Sequence, residues 1–178
     1  STLDRSSAAS DVYKRQVLLG DVAKAVLAIW AVRLAFQFIG GVDTTVLEND
    51  MNWVGYMAGF MAVVGHVFPV YYGFRGGKGV LAAISAIFTL DWRTGCLLLA
   101  VFIIIVAVTR YVSLGSCIAS SLYGFGTLGF VYFMDGDPAG IVCTFIAFFT
   151  AALVIYMHRG NIKRLAAHTE KKLGEKAK

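Results

Sequence analysis

The stretch GHVFPVYYGFRGGKGV, from Gly65 to Val80, places a glycine-rich segment with two cations, Arg75 and Lys78, between two apolar runs. Glycines allow the backbone N–H groups of a loop to converge on one point, because no Cβ obstructs them. The helix predicted to begin near Val80 points its N-terminus, with free N–H groups and partial positive charge, at the same place. The stretch therefore predicts a loop that binds an anion, preferably a phosphate, where a helix starts.

The same residues admit a plainer interpretation, in which the glycines permit a turn and the cations set the topology of a loop. From these letters alone the two interpretations are equally open. The loop is not a Walker A motif, because Lys78 is followed by Gly79 instead of Ser or Thr and no strand precedes it. We therefore do not predict a nucleotide hydrolase.

The composition around this loop is that of a membrane protein. Of the 178 residues, 58% are hydrophobic and 15% are charged, and the mean hydropathy is +0.70. A soluble domain of this length needs more polar surface. The alternating segments of ~10 residues that a membrane β-barrel needs do not occur in the sequence. We predict an all-α fold, a polytopic helical membrane protein.

Six apolar runs can be read along the chain: 17–40, 53–72, 80–90, 96–108, 112–134 and 140–157. A membrane-spanning helix needs ~20 apolar residues, so 80–90 and 96–108 are short. They either form one span together or are two spans that extend into flanking residues or lie where the bilayer is thin.

The charges in the loops favour six separate spans. The loops 73–79 and 109–111 and the tail 158–178 together contain ten basic residues, whereas 41–52, 91–95 and 135–139 contain one, Arg93. Cytoplasmic loops carry an excess of Lys and Arg, so the basic set is predicted to be cytoplasmic. We expect a multi-pass membrane protein with a cytoplasmic C-terminus.

The first residues, STLDRSSAASDVYKRQ, are polar and aperiodic and join abruptly to an apolar run. We interpret 1–16 as a non-native leader and expect the true N-terminus, with one further span, to be missing. The chain is thus divided into a leader (1–16), a helical membrane domain (17–160) and a basic cytoplasmic tail (161–178).

Further polar residues lie on the predicted cytoplasmic side. His66 is placed near the middle of run 53–72. An ionisable side chain inside a membrane span is costly, so it suggests a functional site. The alternative is that His66 forms a hydrogen bond to a neighbouring helix for packing. The segment TRYVSLGS contains Arg110 and Ser113, and YMHRGNIKRL contains His158 and Asn161. Helix capping and contact with anionic lipid are the plainer explanations for these two clusters.

Taken in order, GHVFPVYYGFRGGKGV, TRYVSLGS and MHRGNIKRL with the following TEKK resemble the bacterial acyl-phosphate-dependent glycerol-3-phosphate acyltransferases. The resemblance runs from about Val17 to Lys172. It implies an inner-membrane enzyme that has seven spans when intact. The implied reaction moves an acyl chain from acyl phosphate to glycerol 3-phosphate and gives lysophosphatidic acid and inorganic phosphate.

The resemblance implies a phosphate site at the glycine–lysine loop, completed by the two other clusters. We assign catalysis to Lys78, Ser113, His158 and Asn161. We assign substrate binding to His66, Arg75, Gly76, Gly77, Gly79 and Arg110. No metal or cofactor is implied, because acyl phosphate is already activated. The expected partners are acyl phosphate, glycerol 3-phosphate and membrane lipid, with no nucleic acid and no obligatory protein partner.

Two features of the sequence depart from the family pattern. Leu81-Ala82 stands where Ala-Thr is usual, and residues 1–16 do not supply the family's first motif, a Ser/Gly/Asn-rich loop with an Arg. We therefore expect the chain as it stands to be inactive. The alternative function is a transporter of a phosphorylated metabolite, and a non-catalytic membrane subunit is a third possibility. Polar clusters at one face, without an internal repeat, favour the enzyme.

Overall fold

The computed structural model describes residues 2–48 and 50–175, with side chains for 16–43, 45–48 and 50–175. Within these ranges all regular secondary structure is helical. The α-helices are α1 (Thr2–Phe38), α2 (Thr44–Glu48), α3 (Asn52–Val67), α4 (Val80–Leu90), α5 (Trp92–Thr109), α6 (Val112–Ser121), α7 (Tyr123–Thr127), α8 (Gly140–Met157) and α9 (Arg159–Ala166). A 3₁₀ turn covers Val70–Tyr72, and a π-helical segment covers Leu128–Met134. The all-α prediction is confirmed.

In the part of the chain that the structure describes, four helical segments are long and apolar enough to cross a membrane: Asn52–Tyr72, Trp92–Thr109, Val112–Met134 and Gly140–Met157. The other two predicted spans correspond to α4, which has only 11 residues, and to the apolar half of α1. That half of α1 includes Asp21, Lys24 and Arg33. The multi-pass helical architecture agrees with the sequence, and the count of six spans stays a prediction.

The N-terminal helix runs without interruption from the predicted leader into run 17–40, since α1 begins at Thr2 and ends at Phe38. The division of the chain at residue 16 stays a prediction. On its apolar half, Ala25 and Ile29 are fully buried in a core with residues of α3, α4 and α8. This packing sets α1 beside the helices that flank the glycine–lysine loop.

Run 53–72 is not a single α-helix. α3 ends at Val67, because Pro69 follows and the residue before a proline is disfavoured in the helical conformation. Phe68 accordingly adopts φ −121° and ψ 62°. Our placement of His66 near the middle of a span is wrong, since it lies in the last turn of α3. The same turn brings the loop after it back against the helix end.

Run 96–108 extends into its flanking residues, which is one of the two arrangements predicted for a separate short span. α5 has 18 residues and begins directly after Asp91, whose extended backbone separates it from α4. The buried Asp91 carboxylate accepts hydrogen bonds from the backbone N–H of Thr94 (3.2 Å) and from its hydroxyl (2.6 Å). It also accepts from the backbone N–H of Arg93 at 3.3 Å. Asp91 is therefore the N-cap that starts α5.

Replacing Asp91 with Ala is expected to destabilise the protein by about 1–3 kcal/mol, because the cap is lost and the Thr94 hydroxyl loses its acceptor in a buried place. Asp91→Asn keeps one acceptor oxygen for the cap and should lose less. Thermal unfolding in detergent micelles measures both variants. Equal losses for Ala and Asn would show that capping is not what Asp91 contributes.

Loops of opposite charge pattern lie at opposite ends of the bundle. At one end Asn52 donates to Asp137 at 3.3 Å, and the Arg93 guanidinium pairs with Asp135. At the other end Arg110 and Leu173 of the tail exchange two hydrogen bonds of 2.7 Å. The basic loops are thereby gathered at one end, and the candidate site lies there.

Candidate anion site at the basic end of the bundle

The glycine–lysine loop lies on the last turn of α3 and leads into α4. The Gly76 N–H donates to the Val67 carbonyl at 3.1 Å. A Cβ on Gly76 would lie 2.1 Å from the His66 carbonyl oxygen, so only glycine allows this approach. Gly79 has φ 78°, in the left-handed region that favours glycine, and it forms the N-cap of α4. Backbone geometry thus requires glycine at both positions.

One detail corrects the predicted phosphate site. The Gly76 N–H, which was predicted to face the ligand, donates instead to the Val67 carbonyl at the end of α3. Among the described residues, the amides of Gly77, Lys78 and Gly79 have no backbone acceptor. The first-turn N–H groups of α4 are free as in any helix start. Gly77 and Lys78 are exposed and Gly79 is buried, so the amides of Gly77 and Lys78, without that of Gly76, are available to an anion.

The loop forms one wall of a cavity of about 570 Å³. Its lining consists of Gly76, Gly77, Lys78, Met157, Arg159, Gly160, Asn161 and Lys163. Three of these residues are cations, and the described lining contains no carboxylate. Lys78 forms no ion pair with any side chain that the structure describes. An electropositive, partly enclosed cavity of this kind attracts anions.

Two of the predicted clusters meet beside this cavity. The Asn161 amide donates to the Ser113 hydroxyl at 2.7 Å and to the Glu170 carboxylate at 2.6 Å. Ser113 donates to the same Glu170 oxygen at 2.5 Å. Arg164 donates to the other oxygen at 2.7 Å. Ser113 and Asn161 are buried, so this network fixes the side chain of Asn161 in the cavity wall.

Glu170 is held as an anion. Its side chain is only 9% exposed, and burial alone would raise its pKa. Hydrogen bonds from Ser113, Asn161 and Arg164 outweigh the burial and lower the pKa of Glu170 to about 2. The carboxylate therefore neutralises part of the positive charge of α9 just behind the cavity.

His158 lies at the junction of α8 and α9 and is 2% exposed. Its Nδ1 is 2.8 Å from the Val154 carbonyl oxygen. Since a carbonyl only accepts, Nδ1 carries the hydrogen. Burial lowers the pKa of His158, and the nearby Lys78 ammonium lowers it further. His158 is thus a neutral imidazole with a fixed tautomer, close to Lys78.

Gly79 and three predicted substrate-binding side chains do not line the cavity. Arg110, with φ 62°, binds the tail at Leu173. Arg75 is exposed on the outer part of the loop. His66 contacts Asp21 and Lys24 on α1. Direct contact of these three with substrate stays a prediction.

Glu170 was not predicted from the sequence, and neither were Arg159, Gly160 and Lys163 of the cavity wall. A signal for Glu170 was present, because it is one of only two acidic residues in the basic tail 158–178. No local pattern joins it to Ser113, which lies 57 residues earlier.

The fold and the cavity together define an integral membrane protein of several helical spans with an electropositive cavity at one end. The model of the family described as glycerol-3-phosphate acyltransferase matches residues 12–168. A glycerol-3-phosphate acyltransferase of Clostridioides difficile (strain 630) is 40% identical over 158 residues, which cover 89% of this chain and 70% of that protein. One of Trichodesmium erythraeum (strain IMS101) is 32% identical over 167 residues, 90% of this chain and 70% of that protein.

Two crystal structures of PlsY (YgiH), an integral membrane glycerol 3-phosphate acyltransferase, have the same fold. The glycerol 3-phosphate form superposes with a TM-score of 0.69 and 30% identity, over 94% of this chain and 74% of that one. The lysophosphatidic acid form gives 0.70 and 30%, over 97% and 78%. The chain therefore belongs to the glycerol-3-phosphate acyltransferase family, which confirms the resemblance found in its motifs.

Proposed function

We propose that this protein transfers an acyl group from acyl phosphate to glycerol 3-phosphate, giving lysophosphatidic acid and inorganic phosphate. The observation that carries the proposal is the cavity that Gly77, Lys78 and Asn161 line together with two further cations. Family membership supports acyl transfer over the transporter hypothesis. The acceptor and product agree with the two forms in which the PlsY neighbour was crystallised.

The anion in the cavity is a substrate phosphate. A phosphate monoester carries a charge of about −1.5 to −2 at neutral pH. The Lys78 ammonium and the amides of Gly77 and Lys78 supply charge-assisted hydrogen bonds to it. The N-terminus of α4 adds the partial positive charge of its dipole at the same place.

The remaining residues hold the site in shape and set its protonation. Ser113 and Glu170 fix the Asn161 amide, leaving its carbonyl oxygen to orient a substrate hydroxyl. His158 is neutral, so it adds no further positive charge and its Nε2 is free to accept a hydrogen bond. Rigid placement of two bound reactants can lower the barrier by about 7–11 kcal/mol.

All the bonds that form and break in the transfer belong to the two substrates. The glycerol hydroxyl oxygen bonds to the acyl carbonyl carbon, and the bond between that carbon and the phosphate oxygen breaks. The hydroxyl proton passes to a phosphate oxygen, and inorganic phosphate leaves. Lys78 stabilises the negative charge that develops on the leaving phosphate.

The reaction is tested in proteoliposomes with acyl phosphate and labelled glycerol 3-phosphate. Two forms are assayed: the chain as it stands, and a chimera in which the N-terminal segment of the Clostridioides difficile relative replaces residues 1–16. Lysophosphatidate from either form supports the proposal, and mutants are then made in the active form. Absence of product from both, beside an active relative, refutes it. Uptake of glycerol 3-phosphate without acyl phosphate would favour a transporter.

We further propose that the protein lies in the bacterial inner membrane with this site and the C-terminus in the cytoplasm. Single cysteines are introduced at four exposed positions of a cysteine-free variant: Asp50, Pro138, Arg75 and Lys172. The first two should react with a membrane-impermeant maleimide in intact cells. The last two should react only after permeabilisation. Reaction of Arg75→Cys and Lys172→Cys from opposite sides would show that the span count is wrong.

A further inference from the structure

Three charged or polar side chains meet outside the cavity, where α1 packs on α3. The Lys24 ammonium is 2.6 Å from Asp21 Oδ1 and 2.6 Å from His66 Nδ1. His66 Nδ1 is 3.2 Å from the same Asp21 oxygen. The side chains of Asp21 and His66 are 21% and 14% exposed. An ionic group that is partly removed from water in this way needs its partners, and here all three have them.

The contacts of His66 with α1 determine which of its two ring nitrogens carries the hydrogen. An ammonium group has three hydrogens and no acceptor, so Lys24 donates in both of its 2.6 Å contacts. His66 Nδ1 is therefore an acceptor, and the hydrogen of the neutral imidazole is on Nε2. The ring cannot rotate without losing the contact to Lys24.

The other edge of the fixed imidazole lies against the glycine–lysine loop. A Cβ on Gly77 would lie 2.3 Å from His66 Nε2, closer than real Cβ contacts come, and 3.1 Å from Cε1, so the imidazole or the loop would have to shift. Gly77 also lines the cavity, directly before Lys78. The imidazole thus occupies the space that a side chain at position 77 would fill.

We propose that Asp21, Lys24 and His66 form a positioning unit for the phosphate-binding loop. Asp21 and Lys24 fix the imidazole, and the imidazole supports Gly77 so that the amides of the loop and Lys78 face the cavity. His66 accordingly acts through the loop and not by touching substrate. This inference rests on the proposed function of the loop and adds the residues of α1 that keep it in place.

The test is a double-mutant cycle on the KM for glycerol 3-phosphate, with His66→Ala, Gly77→Ala and the double variant. Each single change should raise KM about tenfold, the value of one good hydrogen bond to a charged group, with a smaller change in kcat. In the double variant the shortened side chain leaves room for the new methyl group. Its KM should be no higher than that of the worse single variant. Independent effects that multiply would overturn the proposal.

A second variant keeps the test decisive if the alanine variants fold poorly. Lys24→Met removes the donor that fixes the imidazole and leaves the loop residues unchanged. We expect it to raise KM in the presence of His66 and to have no effect on top of His66→Ala. A KM equal to that of wild type for Lys24→Met overturns the proposal.

Matched controls are available next to two members of the unit. A Cβ on Gly20 or Gly65 would meet nothing within 4 Å, so Gly20→Ala and Gly65→Ala should leave KM and kcat unchanged. Lys78→Ala separates this inference from the proposed function. Full activity of Lys78→Ala refutes the phosphate site itself. Loss of activity in Lys78→Ala without coupling between His66 and Gly77 refutes only the positioning unit.

Discussion

Lys78→Ala is expected to lower kcat/KM for glycerol 3-phosphate by about 10²- to 10³-fold, the usual loss when a donor to a developing charge is removed. The side chain lines the cavity and forms no ion pair with a described side chain. Its ammonium is therefore free for the phosphate. For the same reason the substitution removes no contact that holds the fold. Initial rates over a range of both substrates measure the effect.

Two further variants make this result specific. Lys78→Arg keeps the charge but replaces a compact ammonium with a planar fork, so it should restore only part of the activity. Lys171→Ala removes one cation from the same face, at an exposed position outside the cavity lining, and should behave like wild type. Near-normal kcat/KM for Lys78→Ala, or an equal loss for Lys171→Ala, would remove the basis for a phosphate at this loop.

The position of the site could be predicted from the sequence because its signals are local. Glycines beside a lysine at a helix start have few physical explanations, and the φ of 78° at position 79 is one that favours glycine. The excess of basic residues in alternate loops placed the other two clusters at the same end. Asn161 and Ser113 do meet there, at 2.7 Å.

The contacts within the site could not be predicted, because they depend on how helices and tail pack. The Gly76 amide is used by Val67, and nothing in the letters GFRGGKGV distinguishes that amide from its neighbours. Arg110 looks like a phosphate ligand in sequence but binds the backbone of Leu173. Both contacts follow from tertiary placement, which a local pattern does not encode.

The position of His66 is a different case, since the sequence contained the necessary signal. Pro69 follows it by three residues, and a helix usually ends before the residue that precedes a proline. Reading the apolar run 53–72 as continuous ignored this signal. With the helix ended at Val67, His66 falls beside the loop, which is where a positioning residue is useful.

Glu170→Ala is expected to lower kcat/KM by about ten- to a hundredfold, because the acceptor shared by Ser113 and Asn161 is removed and a charge-assisted hydrogen bond is worth ~1.5–3 kcal/mol. Glu170→Gln keeps one acceptor oxygen and should lose less. Glu175→Gln is the control from the same tail. Among the described residues, the Glu175 carboxylate accepts a hydrogen bond only from the Lys172 backbone N–H. An unchanged kcat/KM for Glu170→Ala would show that Asn161 does not depend on this carboxylate.

The depressed pKa of Glu170 also predicts how stability depends on pH. The carboxyl binds a proton near pH 4.5 when unfolded and near pH 2 when folded. Its stabilising contribution is therefore complete above pH 4.5 and is lost as the pH falls toward 2. Glu170→Gln cannot titrate, so the difference in unfolding midpoint between wild type and this variant should shrink across that window and stay constant above it. A difference that does not change between pH 5 and pH 2.5 would mean that the carboxylate is not held by Ser113, Asn161 and Arg164, and that Asn161 takes its position in the cavity wall from other contacts.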